Sequence, residues 1–244
     1  MFFSKSCGII LFGEKIMEKK IQSTFEKITG EKKEKFDLYR NLILEYNEKY
    51  NLTTILEEKE MLYKHFLDSA CGEFLIKEGA HVAEIGSGAG FPSIPLKILR
   101  DDLSFTLFES VGKKCDFLRV VVDKLALTNV NIYTMRAEDA ARKEEFREKF
   151  DVVTARAVAR MNTLSEYCLP FVKKGGVFIA YKGGEEEIIE AKKACKILGG
   201  EIEKVYQYNL PENYGERTLA LVKKVAPTPP KYPRGQGKEH KNPL

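Results

Sequence analysis

The amino-acid sequence predicts a doubly wound α/β fold with a mostly parallel, seven-stranded sheet and an N-terminal helical extension. From residue 79 onward, short apolar segments alternate with amphipathic helical stretches, which is the pattern of βαβ units. The last two apolar segments have no long helix between them, which predicts an antiparallel pair at the end of the sheet. Before residue 79, apolar residues recur at helical spacing instead.

The helical extension is predicted over residues 34–78, after an N-terminal segment, residues 1–33, whose pattern is weak. Its first helix should end near Asn51, and either Thr53 or Thr54 is expected to cap the next helix. The apolar face of the first helix comprises Phe36, Tyr39, Leu42, Ile43, Tyr46 and Tyr50. The inner face of the second comprises Met61, Leu62, His65, Phe66 and Leu67.

The sheet domain is predicted over residues 79–225. Its strands are expected at residues 81–85, 104–109, 130–134, 150–155, 176–181, about 201–209 and about 216–223. The intervening helices are expected at about 92–100, 112–126, 138–148, 162–172 and 184–198. Residues 226–244 hold five of the nine prolines, and from Lys223 onward six Lys or Arg residues stand against one acid. This composition predicts an extended basic tail.

Composition excludes several classes of protein. Hydrophobic residues make up 43% of the chain and charged residues 31%, and no apolar run approaches the roughly 20 residues that a membrane span needs. A soluble, cytoplasmic protein with no membrane partner is therefore expected. The five cysteines are scattered and do not cluster with the three histidines, so neither a disulfide framework nor a metal site is expected.

A glycine-rich loop follows the first predicted strand. Gly86, Gly88 and Gly90 stand at alternate positions after Glu84, at the strand end where open α/β sheets bind ligands. Dinucleotide-binding enzymes use G-x-G-x-x-G, because the pyrophosphate must sit on the helix N-terminus. The spacing G-x-G-x-G disfavours a nicotinamide oxidoreductase and favours S-adenosyl-L-methionine, whose methionine moiety carries no phosphate.

Two further strand ends carry acids suited to the same cofactor. Glu109 ends the second strand, where a carboxylate can accept both ribose hydroxyl hydrogens. After the third strand, Ala137 offers a backbone amide and Glu138 a carboxylate that could read the adenine edge. Each acid alone is as readily a solvated loop residue, but three sites in order at successive strand ends favour the cofactor.

The methyl acceptor is inferred by elimination. The segment after the fourth strand, residues 154–160, lacks the Asn/Asp-Pro-Pro-aromatic motif of base amino-group methyltransferases. Cytosine C5 enzymes need a nucleophilic cysteine, whereas Cys168 is expected to be a packed helical residue. The acceptor is then already nucleophilic, and guanine N7 fits because its lone pair needs no deprotonation.

Charged side chains near the predicted cleft leave alternatives open. Arg156 could clamp the guanine O6 edge, a phosphate or the cofactor carboxylate, or it could be a surface arginine; Lys182 offers a similar cationic role. His65 and Asp68 share one helix face and could line an RNA cleft or bond their helix to the core. Helix residues Lys113, Lys114 and Arg119 favour RNA as the substrate.

The sequence resembles the bacterial 16S ribosomal RNA N7-guanine methyltransferases (RsmG, formerly glucose-inhibited division protein B) over roughly residues 35–244. The segments that carry the resemblance are Tyr50–Thr54, His65–Ser69, Glu84–Pro95, Lys113-Lys114, Phe117–Arg119, Thr154–Ala157, Lys182-Gly183, Glu216-Arg217 and Lys231–Arg234. Family members often have aspartate where this chain has Glu84 and Glu109, and residues 1–16 match nothing in the family.

The resemblance implies a class I S-adenosylmethionine methyltransferase that modifies 16S ribosomal RNA, alone or in the 30S subunit, as a monomer. Carried over by position, cofactor contacts fall on Gly86, Phe91, Ala137, Glu138 and Arg156. RNA contacts are expected to include Arg217, Lys231 and Arg234. Two alternatives remain: a methyltransferase for another RNA or a small molecule, and a non-catalytic RNA-binding assembly factor with a vestigial cofactor pocket.

Overall fold

The computed structural model describes residues 7–184 and 186–244, with side chains from residue 16 onward. Two long helices open the fold, α1 (Cys7–Thr29) and α2 (Lys33–Tyr50). Helix α2 confirms the first predicted helix, and Asn51 ends it in the left-handed conformation with φ +50°. Helix α1 lies in the segment whose sequence pattern was weak, and it buries Met17, Ile21 and Ile28. Residues 1–6 of that segment lie outside the described residues.

The second helical region begins later than predicted. Helix α3 (Glu58–Met61) continues through a π-helical turn (Leu62–Leu67) into α4 (Asp68–Ala70). Its cap is Glu57, whose carboxylate accepts the backbone N–H groups of Lys59 and Glu60, so the expectation of Thr53 or Thr54 is wrong. The Thr53 hydroxyl is instead hydrogen-bonded to His65, and Thr53 Oγ1 lies 2.7 Å from His65 Nε2. The predicted inner face is buried except Leu62, which is half-buried.

One seven-stranded sheet forms the centre of the molecule, in the order β3-β2-β1-β4-β5-β7-β6. The strands are β1 (His81–Ile85), β2 (Ser104–Glu109), β3 (Val130–Thr134), β4 (Phe150–Arg156), β5 (Val172–Lys182), β6 (Gly200–Asn209) and β7 (Glu216–Lys224). The first five strands pair in parallel, whereas β7 pairs antiparallel with both β5 and β6. This topology confirms the predicted fold class.

Helices cover both faces of the sheet. They are α5 (Ser93–Leu99), α6 (Gly112–Lys124), α7 (Ala137–Ala140), α8 (Met161–Cys168), α9 (Glu186–Glu190) and α10 (Lys192–Ile197). The predicted helix at 138–148 is only one turn long. Beyond it, the guanidinium of Arg147 binds main-chain carbonyls of residues 228, 229 and 232, and Glu148 has φ +55°. These contacts with the last segment replace the helix.

The C-terminal segment, residues 226–244, packs against the sheet domain, so the prediction of an extended tail is wrong. Tyr232 is buried, and Arg234 forms an ion pair with the fully buried Glu166 at 2.7 Å. A short helix, α11 (Lys238–Lys241), follows, and the hydroxyl of Thr163 donates to the main-chain carbonyl of Glu239. The prolines and charges of this segment predicted a solvated end. Its polar anchors could not be predicted, because contacts of this kind leave no periodic pattern in the sequence.

Two apolar layers follow from the alternation of side chains along the strands. On β5, Ile179 and Tyr181 belong to the layer under the N-terminal helices, whereas Phe178 and Ala180 belong to the layer under α8 and α10. The carboxyl ends of the parallel strands emerge between these layers. Among the described residues, no helix combines the length and apolarity that a membrane crossing requires.

Candidate active site

The glycine loop begins where β1 ends and is tied to the neighbouring strand. The backbone N–H groups of Gly86 and Ser87 donate to the carbonyl of Phe108 at 2.9 and 3.2 Å. All three glycines have positive φ, +69°, +56° and +99° in order along the chain. The loop therefore depends on glycine for its backbone conformation at each of the three positions.

Only one of the three glycines opens onto free space. A Cβ at Gly86 would lie 2.7 Å from the Val158 side chain, and one at Gly90 would lie 2.5 Å from Ile94. A Cβ at Gly88 would meet nothing closer than a carbonyl oxygen at 4.0 Å. Gly88 is therefore the glycine at which a ligand can approach the backbone closely, as predicted for the loop. At Gly86 and Gly90 the missing side chain leaves room for Val158 and Ile94.

Glu109 ends β2 directly beside this loop. Its Oε2 accepts the N–H of Gly88 and its Oε1 accepts the N–H of Val111, both at 2.8 Å. Each carboxylate oxygen has a second lone pair, so both can still accept a ribose hydroxyl. Ala137 and Glu138 open α7 just beyond β3, and the N–H of Met135 donates to the Glu109 carbonyl at 3.0 Å. The three predicted strand-end positions thus lie along one edge of the sheet.

Glu84 is fully buried below the loop. Its Oε2 accepts the N–H of Ser93 at 3.3 Å, whereas its Oε1 has no hydrogen-bond partner among the described residues. Burial raises the pKa of Glu84 to about 8. The orphaned carboxyl oxygen can accept a hydrogen bond, and Gly88 leaves an open face beside the loop, so the residues present fit S-adenosylmethionine, whose methionine moiety carries an ammonium donor.

Arg156 ends β4 and reaches into the helical extension. Its Nη1 donates to Asp68 Oδ2 and to the Lys64 carbonyl, both at 2.9 Å, and its Nη2 donates to His65 Nδ1 at 2.8 Å. The guanidinium also lies 5.0 Å above the ring of Phe91, the residue after the glycine loop. Arg156 therefore joins the loop to the helix that carries His65.

His65 is held as a neutral ring. A guanidinium only donates, so Nδ1 accepts and Nε2 carries the hydrogen, which it donates to Thr53 Oγ1. Burial, with the Arg156 charge as a second cause, lowers the pKa of His65 to about 3. The ring stacks on Phe91 with centroids 4.3 Å apart. These contacts match the alternative in which His65 bonds its helix to the core.

Asp68 holds two arginines at once. Its Oδ2 lies 2.9 Å from Arg156 Nη1 and 3.5 Å from Arg217 Nε, and its Oδ1 accepts the Tyr208 hydroxyl at 3.0 Å. Asp68 is only 4% exposed, so it too bonds the helix to the sheet. Lys182 is similarly engaged, since its Nζ contacts the Ala159 carbonyl at 2.7 Å and Glu187 at 2.6 Å.

An open cleft of about 1090 Å³ lies beside the carboxyl ends of β4 and β5. Its walls come from α1, the π-helical turn and the β5–β7–β6 region. Of the predicted residues it brings together His65, Asp68, Arg156, Lys182 and Arg217. Each of its lysine and arginine side chains has a carboxylate partner, in the pairs Lys64–Glu60, Arg156–Asp68, Lys182–Glu187 and Arg217–Asp68.

The remaining predicted RNA contacts lie away from this cleft. Lys113 is exposed and Lys114 half-buried at the start of α6, and Arg119 pairs with Asp116 at 2.8 Å on the same helix. Lys231 is exposed, whereas Arg234 is bound to Glu166. Tyr208 is a site residue that sequence reasoning missed, because its contact with Asp68 joins residues 140 positions apart.

Comparison with known proteins places this architecture in a family. The family described as rRNA small subunit methyltransferase G (GidB) matches residues 32–215. A Lactobacillus acidophilus protein named ribosomal RNA small subunit methyltransferase G is 48% identical over 224 residues, 89% of this chain and 93% of that protein. A protein of the same name from Lachnoclostridium phytofermentans is 48% identical over 215 residues, 86% of this chain and 89% of that one.

Solved structures share the fold at low sequence identity. M. jannaschii TYW2 in complex with AdoMet is 16% identical with a TM-score of 0.53, over 70% of this chain and 80% of that one. A predicted O-methyltransferase from Agrobacterium tumefaciens is also 16% identical with a TM-score of 0.53, over 65% of this chain and 81% of that one. These neighbours agree with the methyltransferase form of the doubly wound fold.

The family match includes the glycine loop, Glu109, Arg156 and the helix that carries His65 and Asp68. The matches cover 93% and 89% of these two relatives, so the resemblance is not restricted to the half of the chain that carries the glycine loop. The family predicted from the sequence motifs is confirmed: the chain belongs to the rRNA small subunit methyltransferase G family.

Proposed function

We propose that this protein transfers the methyl group of S-adenosyl-L-methionine to N7 of a guanine in 16S ribosomal RNA. Family membership supports methyl transfer to small-subunit ribosomal RNA. The observation that carries the assignment of the site is the 5.0 Å contact between Arg156 and Phe91. Arg156 lines the open cleft and Phe91 follows the glycine loop, so this contact supports a donor site next to the cleft, as transfer to a bulky acceptor requires.

The donor side of the proposed site consists of the glycine loop and the acids around it. Gly88 supplies the open approach, Glu109 the acceptor oxygens for a ribose, and Ala137 and Glu138 the groups for an adenine edge. Glu84 adds a buried carboxyl group below the loop. When bound, S-adenosylmethionine supplies an electrophilic methyl group on a sulfonium.

The acceptor side needs no general base. Guanine N7 has a free lone pair near neutral pH, so the protein has only to orient the base and exclude water. His65 is neutral, but its Nδ1 lone pair is already used by Arg156. The Arg156 guanidinium offers hydrogen-bond donors for the guanine O6 acceptor. Lys182 and Arg217 line the same cleft, each paired with a carboxylate that a phosphate of the entering nucleotide can replace.

The RNA partner is proposed to be 16S RNA, either alone or in the 30S subunit, met by a monomer in the cytoplasm. We assign phosphate contacts outside the cleft to Lys113 and Lys231, whose side chains are exposed. The exposed part of the Lys114 and Arg119 side chains can add to the same surface.

The experiment is a transfer assay with methyl-labelled S-adenosylmethionine and three acceptors: 16S RNA, 30S subunits and 23S RNA as the control. The expected result is label on one guanine of 16S RNA, mapped by cleavage at N7-methylguanine. Label on 23S RNA or on a different atom would favour another methyltransferase, and cofactor binding without any transfer would favour an assembly factor.

A further inference from the structure

Tyr39 connects the helical extension to the glycine loop. This residue lies on α2, on the face that the sequence marks as apolar, and it is fully buried. Its hydroxyl donates a hydrogen bond of 2.5 Å to the carbonyl oxygen of Ala89, between Gly88 and Gly90. The loop carbonyl is therefore held by a side chain from outside the sheet domain.

The surroundings of Tyr39 fix the position of this hydroxyl. The ring stacks on Phe66 at 5.5 Å and lies 5.6 Å from Phe91, which follows the glycine loop. A Cβ at Gly90 would lie 3.0 Å from the Tyr39 hydroxyl oxygen, so the third glycine leaves room for the tyrosine. Two features of the loop thus depend on one residue of α2.

The hydroxyl remains a donor over the whole working range of pH. Burial raises the pKa of Tyr39 well above its ordinary value, with the charge of Glu84 as a second cause. The Tyr39 hydroxyl therefore keeps the hydrogen that it donates to the Ala89 carbonyl. Loss of this donor leaves a buried carbonyl without its partner, which the loop can relieve only by moving.

We propose that Tyr39 is a positioning residue, which holds the glycine loop in the conformation that binds the cofactor. The proposal rests on the proposed function, since it assumes that this loop binds S-adenosylmethionine. Gly88 carries the open face, and its neighbour Ala89 carries the carbonyl that Tyr39 fixes. Without the hydroxyl, the loop samples other conformations, and cofactor affinity falls by the fraction of time spent in them.

The test compares Tyr39→Phe, which keeps the ring and removes the hydroxyl, with Phe36→Leu. Phe36 lies on the same helix, is buried, and packs on Phe66 at 5.1 Å, and it has no hydroxyl to offer the Ala89 carbonyl. The dissociation constant of S-adenosylmethionine is measured by calorimetry without RNA. It should rise by up to about fivefold in Tyr39→Phe, the factor by which the net value of one hydrogen bond shifts the loop equilibrium, and stay at the wild-type value in Phe36→Leu.

Amide hydrogen exchange of residues 86–91 in the cofactor-free protein gives a second readout. It should speed up in Tyr39→Phe and not in Phe36→Leu. Unchanged affinity and unchanged loop exchange in Tyr39→Phe would overturn the proposal, as would equal weakening in both variants. If the wild-type protein binds no S-adenosylmethionine, the proposed function fails, and the exchange measurement still decides whether Tyr39 holds the loop.

Discussion

Arg156 Nη2 donates a hydrogen bond to His65 Nδ1 across 2.8 Å, although both side chains are basic. The pair is stable only because the imidazole is neutral and accepts, with its own hydrogen directed to Thr53. The arginine is thereby fixed between a helix of the extension and the ring of Phe91.

The stability of the protein should fall in acid partly through His65. Its pKa is about 3 in the folded state, below the ordinary value of 6.5, so between these values the unfolded chain binds the extra proton. The neutral ring therefore contributes its full stability above about pH 6.5, and that contribution is lost as pH falls toward 3.

Urea unfolding of wild type and His65→Asn at pH 7, 6 and 5 measures this. The destabilisation caused by His65→Asn should shrink as pH falls, since the wild type loses up to about 1.4 kcal/mol per pH unit from this group. The difference between the two proteins cancels the titration of other groups, including His81, whose pKa burial also lowers. A difference that is constant with pH would contradict the neutral His65.

Replacing Arg156 should lower both turnover and stability. Arg156→Lys keeps the charge but loses the planar fork, and Arg156→Ala also leaves the 6% exposed Asp68 side chain without its main partner. Removing one member of a buried pair costs roughly 3–5 kcal/mol. Because Arg217 still approaches Asp68, the lower end of this range is expected from urea unfolding. Arg160→Ala is the control, since its pair with Glu190 is exposed and should contribute little.

The rate of methyl transfer to N7 should not rise with pH as it would if a general base were required. Single-turnover rates under saturating substrate, measured from pH 6 to 9, should be nearly flat because no proton leaves the acceptor before transfer. A tenfold rise per pH unit followed by a plateau would show a required deprotonation. The N7 assignment and the passive role of Arg156 would then both be wrong.

Gly88→Ala should lower the affinity for S-adenosylmethionine and reduce the free energy of unfolding only modestly. Its Cβ points into open space, so the main folding cost is the positive φ of +56°, about 1–2 kcal/mol. Gly79→Ala is a matched control, since φ there is +67° and nothing lies within 4 Å of the added Cβ. The two variants should lose similar stability in thermal unfolding, and only Gly88→Ala should lose affinity for S-adenosylmethionine. Equal affinity in both would remove Gly88 from the site.

Arg234, in the C-terminal segment, should contribute to stability rather than to RNA binding. Arg234→Ala leaves the fully buried Glu166 carboxylate unpaired, which should cost about 3 kcal/mol in urea unfolding. Lys231→Ala, an exposed lysine three residues away, should leave stability unchanged. If Lys231 contacts a phosphate, its loss reduces the salt slope of RNA binding by about 0.7–0.9. A salt slope that changes only in Arg234→Ala would reverse these roles.

Local signals were sufficient for much of the fold. Strands β1, β2 and β3 begin and end where the apolar runs predict, since each run is short and has a glycine or a polar residue directly beside at least one end. Strand β5 starts four residues before its predicted start, because Lys173, Lys174 and Gly175 interrupt the apolar run. Val172 nevertheless pairs with Phe150, and the register shifts after that pair. The packed C-terminal segment was missed for a similar reason, as its anchors are polar contacts between distant parts of the chain.

The candidate site divides in the same way. Glu109 and the glycine loop were predictable because each stands at a strand end, where topology alone fixes its neighbours. The contacts of Arg156 with Asp68 and of Tyr39 with Ala89 join residues 88 and 50 positions apart. A periodic pattern marks such residues as buried or polar but says nothing of their partners.

The paired cations of the cleft bear on how the protein discriminates among nucleic acids. Arg156, Lys182 and Arg217 are each bound to a carboxylate of the protein, so a phosphate entering the cleft must displace an acid rather than loosely held counterions. An arbitrary polyanion gains little from that exchange. A nucleotide whose base also matches the cleft recovers the loss through its own hydrogen bonds, so the internal ion pairs favour selectivity at the expense of nonspecific adhesion.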